Sequence, residues 1–157
     1  MRLLGNIIWF FMGGFVLFIL YAISAIVFFP MFKPLFRLAL FALWPFGRDV
    51  VTKDQLDQYK AAKNLSNDTS VTEETLKNIS GIFNLLWMFT FGWILALTHL
   101  ACSFFNLLFF WTIVAIPNIG GHWKLIRVAF LPFNKVIVPS GVAQEIKDGI
   151  AKAKLGI

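Results

Sequence analysis

The chain has 157 residues, of which 59% are hydrophobic and 14% charged, and its formal net charge is +6. Together with a mean hydropathy of +0.76, this composition excludes an ordinary soluble domain and predicts a small integral membrane protein. The single cysteine, Cys102, excludes an intrachain disulfide, and with two histidines it cannot complete a usual four-ligand zinc site.

The first apolar run extends from Leu3 to Phe32 without a charged residue. It is longer than one hydrocarbon core of about 30 Å, so we expect it to cross once with tilt or to dip back. It is also far longer than the apolar part of a signal peptide, which predicts a retained span. Asn6, Tyr21 and Ser24 fall on one helical face, and this pattern favours packing against a partner helix.

A short basic segment follows this run. Pro30 and Pro34 are expected to break the helix. The ten residues before Pro45 are too few to span a bilayer comfortably. With Lys33 and Arg37 at its edges, the segment predicts an interfacial helix or a short returning one.

The next stretch, from Arg48 to Lys77, is rich in charged residues and is expected to be soluble. Thr52 with Gln55, and Ser70 with Glu73, have the spacing of a capping box. Two helix starts are therefore predicted here.

The longest apolar run extends from Asn78 to Trp123 and contains no Lys, Arg, Asp or Glu. At about 1.5 Å per residue it is long enough for a membrane hairpin. On a helix, its polar side chains fall on one side. This polar stripe consists of Asn84, Thr98, His99, Cys102, Ser103 and Asn106.

His99 has two interpretations, because an ionisable residue inside a membrane segment is by default a functional hypothesis. It either lines a permeation path or a pH gate, or it is a neutral imidazole that holds two helices in register. The candidate hydrogen-bond partners in the second case are Thr98, Ser103 and Tyr21.

A second basic amphipathic segment begins at His122 and ends at Pro132. Beyond it, Ser140 is expected to cap a short helix that packs on the membrane surface or on a neighbouring subunit. The cations of the two basic segments either hold lipid headgroups or anions, or reach the interface with their charged ends. They are Lys33, Arg37, Lys124 and Arg127.

The two apolar halves share an internal pattern. Asn6-x-x-Trp9 recurs as Asn84-x-x-Trp87, and Pro45-Phe46 recurs as Pro132-Phe133. This alignment places Tyr21 opposite His99 and Ser24 opposite Cys102, with nine extra residues in the second half. The predicted fold is an all-α integral membrane protein of two sequence-related repeats, each a membrane helix or hairpin followed by a short basic amphipathic helix.

The predicted domains are membrane repeat 1 (1–51), a cytoplasmic helical linker (52–79), membrane repeat 2 (80–139) and a C-terminal surface helix (140–157). An odd number of crossings per repeat would place the linker and the tail, both rich in lysine, on opposite sides of the membrane. We therefore expect an even number, which puts both on the cytoplasmic side.

Several of these segments resemble the YccF family of bacterial inner-membrane proteins, which is built on a duplicated inner membrane component domain. The resemblance is carried by the Asn-x-x-Trp starts, Leu-Trp-Pro-Phe-Gly-Arg-Asp-Val-Val at 43–51, Gly-Trp-Ile-Leu-Ala-Leu-Thr-His-Leu at 92–100 and the Ile116-Pro117 turn. It covers roughly residues 5–51 and 82–138. It implies an inner-membrane location and a two-repeat fold, and it brings no catalytic residues.

Nucleotide-binding loops, metalloprotease motifs and paired acidic motifs are absent from the sequence. We therefore expect no enzymatic activity, no cofactor and no nucleic-acid partner; membrane lipids are the expected partners. The leading hypothesis is a homo-oligomeric channel or conduit for small ions or solutes, lined by the polar stripe. The alternative is a non-transporting structural or regulatory membrane component that binds lipid or a partner protein.

Overall fold

The computed structural model describes residues 2–65, 71–113 and 115–156, with the backbone alone at 71–78. The predicted Ser70 cap thus lies outside the described residues. The chain is mostly helical and divides into two compact units. The membrane unit comprises Met1–Phe46 and Ile82–Phe133, and the αβ unit comprises Gly47–Gly81 and Asn134–Ile157.

Two long helices of the membrane unit are apolar and long enough to cross a bilayer. They extend over Arg2–Val27 and Ile79–Leu107, with mean hydropathies of 2.4 and 1.7. In their most apolar windows only 33% and 28% of the residues are buried, and side chains such as Phe11 and Phe89 are largely exposed. The core helix of a soluble protein would bury such residues, so these faces suit a lipid environment.

Each long helix is interrupted by a π-helical segment. The first helix consists of α1 (Arg2–Trp9), the π-helical Phe10–Gly14 and α2 (Phe15–Val27). The second consists of α5 (Val71–Trp87), the π-helical Met88–Gly92 and α6 (Trp93–Leu107). Such π segments distort the regular ladder of hydrogen bonds and are frequent at functional sites.

Both long helices turn back through a short 3₁₀ helix into a returning helix. The first turn is Phe29–Met31, and α3 (Phe32–Leu43) packs along α2. Pro30 ends the helix as predicted, but the prediction for Pro34 is wrong. Pro34 lies in the first turn of α3, where the ring removes no intrahelical hydrogen bond.

The second turn is the 3₁₀ helix Phe110–Thr112, and α7 (Ala115–Phe130) then packs along α6. The segment from His122 onward is therefore the end of a helix packed in the bundle, and not a separate interfacial helix. Both returns give helical hairpins.

Asparagine side chains close both hairpins at their open ends. Asn6 donates from Nδ2 to the Phe46 carbonyl at 3.0 Å and accepts from the Phe46 N–H at 2.8 Å. Asn84 forms the same two bonds with Phe133, at 3.3 and 3.0 Å. In each hairpin, the asparagine near the start therefore lies beside the phenylalanine at the end.

Tryptophan side chains repeat the arrangement one turn further along. Trp9 donates from Nε1 to the Ala42 carbonyl at 2.7 Å, and Trp87 donates to the Ala129 carbonyl at 2.8 Å. Both indoles are fully buried. In each hairpin they join the first helix to the last turn of the returning one.

The αβ unit contains two short strands that the all-α prediction missed. They are β1 (Arg48–Thr52) and β2 (Lys135–Pro139), and they pair antiparallel with Arg48 opposite Pro139. The chain between the hairpins then forms α4 (Lys53–Ala62), and the chain after β2 forms α8 (Ser140–Leu155).

Helix α4 begins at the predicted capping box. The Gln55 N–H donates to Thr52 Oγ1 at 3.0 Å, and the Thr52 N–H donates to Gln55 Oε1 at 2.9 Å. The prediction that Ser140 caps α8 is wrong, because Ser140 is already helical and its N-cap, Pro139, makes no side-chain bond.

Helix α8 packs on α4 and the strands, and these elements cover its buried side. The packing on the membrane or on a neighbouring subunit that we expected does not account for this side. Val51, Ala143 and Ile146 form the centre of this small core. At its edge the Tyr59 hydroxyl donates to Glu145 at 2.6 Å, and this bond raises the pKa of Tyr59.

Candidate functional site: a buried polar cluster

Helix α6 directs the centre of the polar stripe into the interior of the membrane unit. His99 and Asn106 are 0% exposed and Ser103 is 4% exposed. The other three members, Asn84, Thr98 and Cys102, are half-buried. The centre of the stripe is therefore an internal face of one chain, whereas the Thr98 hydroxyl lies at the surface.

Helix α7 supplies a facing pair of polar side chains, His122 and Asn118, which are 0% and 1% exposed. Nδ1 of His122 lies 3.2 Å from Nδ1 of His99, so the two imidazoles share a hydrogen bond. Ser103 follows His99 by four residues, and Asn118 precedes His122 by four. Because the two helices are antiparallel, this second pair lies about one turn from the histidine pair on the same two faces. We call these residues the polar cluster: His99, Ser103, Asn106, Asn118 and His122.

The π-helical segment of the first long helix forms a third wall of the cluster. Met12 and Gly13 depart from helical geometry, with φ values of −91° and +137°. The Met12 carbonyl accepts a hydrogen bond from Asn106 Nδ2 at 3.0 Å. The distortion of the helix thus provides an acceptor for a side chain of α6.

Gly13 is required at this distortion for two reasons. Its φ of +137° is disfavoured for residues with a Cβ. A Cβ at this position would also lie 2.7 Å from Cys102 Sγ and 3.3 Å from His122 Cε1. The close approach of the first helix to α6 and α7 therefore depends on this glycine.

Two aromatic side chains pack on the histidine pair. Trp9 stacks on His122 with ring centroids 4.2 Å apart and an interplanar angle of 21°. Tyr21, which is 2% exposed, meets His99 edge to face at 6.3 Å. The alignment of the halves placed Tyr21 opposite His99, and the structure brings these two side chains together.

Other predicted site residues lie outside the cluster. Asn6 and Asn84 close the hairpins, as described above. The Thr98 hydroxyl donates to the Ile94 carbonyl of its own helix at 2.7 Å. The Ser24 hydroxyl likewise donates to the Leu20 carbonyl at 2.8 Å. All four side chains therefore have hydrogen-bond partners outside the cluster.

The partner of His99 was missed by the sequence prediction, which offered Thr98, Ser103 and Tyr21. Asn118 and His122 are four residues apart, and this spacing puts them on one helical face. The sequence analysis began the basic segment at His122. A predicted helix that included both Asn118 and His122 would have revealed this face. Within the described ranges, no three His, Cys, Asp or Glu side chains come together as a metal site.

The four predicted headgroup-binding cations all lie on the returning helices and are exposed. Arg37 precedes Phe46 by nine residues, and Lys124 precedes Phe133 by the same number. The two cations therefore lie at similar distances from the open ends of their hairpins. The others are Lys33 on α3 and Arg127 on α7.

The fold and this interior define a helical membrane protein with two long apolar helices and a polar cluster between packed helices. The chain belongs to the YccF family: the family pattern, described as an inner membrane component domain, matches residues 4–48 and 82–135. The earlier resemblance is thereby confirmed. The match follows the membrane unit closely and leaves most of the αβ unit outside it.

Two relatives extend the likeness over nearly the whole chain. The inner membrane protein YccF of Escherichia coli (strain K12) is 26% identical over 160 residues, covering 98% of this chain and 99% of the relative. The protein of the same name from Shigella flexneri matches with the same values. No solved structure matches the chain significantly.

Proposed function

We propose that the protein is a non-transporting structural or regulatory component of the bacterial inner membrane. The observation that carries this proposal is the burial of His99, Ser103 and Asn106 inside a single chain. Residues that line a pore on an oligomer axis have to be exposed on the surface of each subunit. The polar stripe instead holds α6 against α7 and the first helix.

The proposed architecture is a pair of related helical hairpins. The equivalent bonds of Asn6 and Asn84, and those of Trp9 and Trp87, support descent from one repeated unit. The second hairpin differs by the longer helix α7.

Each hairpin is proposed to enter and leave the membrane on the cytoplasmic side, where its open end lies. Lys33 is exposed beside the first tip, and an ammonium group at the bilayer centre is costly. This cost favours a tip from which the ammonium group can extend to the far interface, although α3, with 12 residues, is only about 18 Å long and does not span a full core of about 30 Å. The exposed Trp111 at the second tip suits the same interface. The two lysine-rich segments of the αβ unit, one between the hairpins and one after the second hairpin, then lie in the cytoplasm. This orientation agrees with the positive-inside rule.

The working surface of such a component is proposed to be basic. Arg37, Lys124 and Arg127 are exposed on the returning helices, where long cationic side chains reach headgroups from within the apolar layer. Anionic lipids attract such groups by about 1 kcal/mol for each cation near the surface. Lipid binding through these side chains is therefore the proposed contact with the membrane.

Flux measurements on purified protein in liposomes test the proposal. Under gradients of K⁺, Cl⁻ or H⁺, we expect no flux above that of protein-free liposomes. A flux that the His99→Ala or Asn106→Ala variant abolishes would refute the non-transporting role, whereas the Thr98→Val variant serves as a control with an unchanged interior.

A conduit through the polar cluster of a single chain is the second candidate. Its specific support is that several buried polar atoms of the cluster have no hydrogen-bond partner among the described residues. A packed interior normally satisfies its polar groups. The liposome experiment separates the two candidates, because a conduit conducts and a scaffold does not.

A further inference from the structure

Five side-chain atoms of the polar cluster are buried and lack a hydrogen-bond partner within the described part of the chain. Two belong to the imidazoles of the histidine pair, and three belong to the neighbouring amides. They are His99 Nε2, His122 Nε2, Asn106 Oδ1, Asn118 Nδ2 and Asn118 Oδ1. The Met12 backbone also interacts with the His122 ring, so the other four atoms carry the argument.

These atoms include both donors and acceptors. The amide of Asn118 offers both, and Asn106 Oδ1 is an acceptor. Because the His99–His122 bond joins Nδ1 to Nδ1, one ring carries its proton on Nδ1 and the other on Nε2 when both are neutral. One unpartnered Nε2 is therefore an acceptor and the other is a donor.

A buried polar group without a partner is costly, and hydrocarbon outside the unit offers no replacement. Buried sites with two to four polar partners commonly hold ordered water. The cluster contains no acidic or basic side chain besides the imidazoles, so it offers neither the carboxylates that a metal cation prefers nor the guanidinium or ammonium groups that an anion prefers. Water, which donates and accepts, matches this mixed set.

We propose that the polar cluster is a water-binding site inside the membrane unit, in which bound water joins the two imidazoles to Asn106 and Asn118. The Met12 carbonyl and Gly13 close the site from the first helix. This inference is independent of the proposed function, because enclosed water stabilises a scaffold as well as a conduit.

Radiolytic hydroxyl-radical labelling of the full chain in nanodiscs tests the proposal. Radiolysis of bound water oxidises the side chains beside it, and Cys102 and His122 lie at the site. We expect both to be oxidised several-fold faster than in the Asn118→Leu variant, which replaces the amide by an apolar side chain with the same branching and number of heavy atoms. The Thr98→Val variant, whose lost hydroxyl bonds only its own helix, should keep the wild-type rates.

The same variants provide a second readout in their melting temperatures. If water satisfies the amide, Asn118→Leu lowers the melting temperature; if the site is dry, the variant raises it by removing an unpaired amide. Equal labelling in the wild type and Asn118→Leu, or a higher melting temperature of that variant, would overturn the proposal. Should Asn118→Leu fail to fold, the comparison is made with the exposed-face residue Trp93, each rate being divided by that of the free amino acid. Labelling of His122 no faster than that of Trp93 on this scale would do the same.

Discussion

Among the described residues of the polar cluster, the bond between His99 and His122 is the one side-chain hydrogen bond that joins α6 to α7. Replacing either residue by alanine leaves the Nδ1 atom of the other imidazole buried and unpaired. We expect each single variant to lose about 1–3 kcal/mol of unfolding free energy. Reversible denaturation in mild detergent measures this loss.

The double variant is the informative control for this pair. Once one imidazole is gone, removing the other costs less, so the coupling energy from the double-mutant cycle should be about 0.5–2 kcal/mol. Strict additivity of the two losses would contradict a direct bond between the rings.

Gly13 provides a test of the distorted π-helical segment. Gly13→Ala introduces a Cβ at φ +137° and against Cys102 Sγ, so we expect a loss of about 1–3 kcal/mol. Adding Cys102→Ala should recover only part of it, because the backbone strain persists. Gly81, where a Cβ would meet nothing within 4 Å, is the matched control, and thermal unfolding of Gly81→Ala should show no loss. Equal stability of both alanine variants would rule out this role of Gly13.

At the level of the elements, the hairpins depend on the asparagines at their open ends. Asn6→Leu and Asn84→Leu each remove two bonds to the returning chain, and we expect each to lose about 1–3 kcal/mol. Thr90→Val is the control, since that hydroxyl bonds only carbonyls of its own helix. Detergent unfolding that leaves Asn84→Leu as stable as Thr90→Val would show that these bonds do not close the hairpin.

The elements also differ in how far sequence alone predicts them. Hydropathy predicts the long helices, because twenty or more apolar residues have few other stable environments. The capping box at Thr52 is local and is predicted equally well. The strands are not, because each has five residues, and β1 gains its partner only from a segment that follows the second hairpin.

Only the part of the polar cluster that lies on α6 could be predicted from the sequence. Helical periodicity identifies the buried face of α6, since polar residues on an apolar helix are conspicuous. The facing residues Asn118 and His122 follow Pro117, which we interpreted as a boundary between elements. Pro117 instead occupies the first turn of α7, where proline is tolerated.

For the whole molecule, the hairpin architecture predicts that both segments of the αβ unit lie on one side of the membrane. Single cysteines at the exposed Lys63 and Lys154, in a Cys102→Ala background, should resist a membrane-impermeant thiol reagent added to intact cells. Both should react once the cells are opened. Labelling of one site but not the other in intact cells would mean an odd number of crossings between them.

His99, Ser103 and Asn106, at the centre of the polar stripe, lie in the interior of one chain, and we infer that they do not line an aqueous lumen. The most direct test is the reactivity of Ser103→Cys with a charged, water-soluble methanethiosulfonate in nanodiscs, in the same Cys102→Ala background. Since Ser103 is 4% exposed, we predict no detectable reaction under conditions in which Lys63→Cys reacts completely. A reaction of Ser103→Cys as fast as that of Lys63→Cys would show a lumen open to bulk water and contradict the claim.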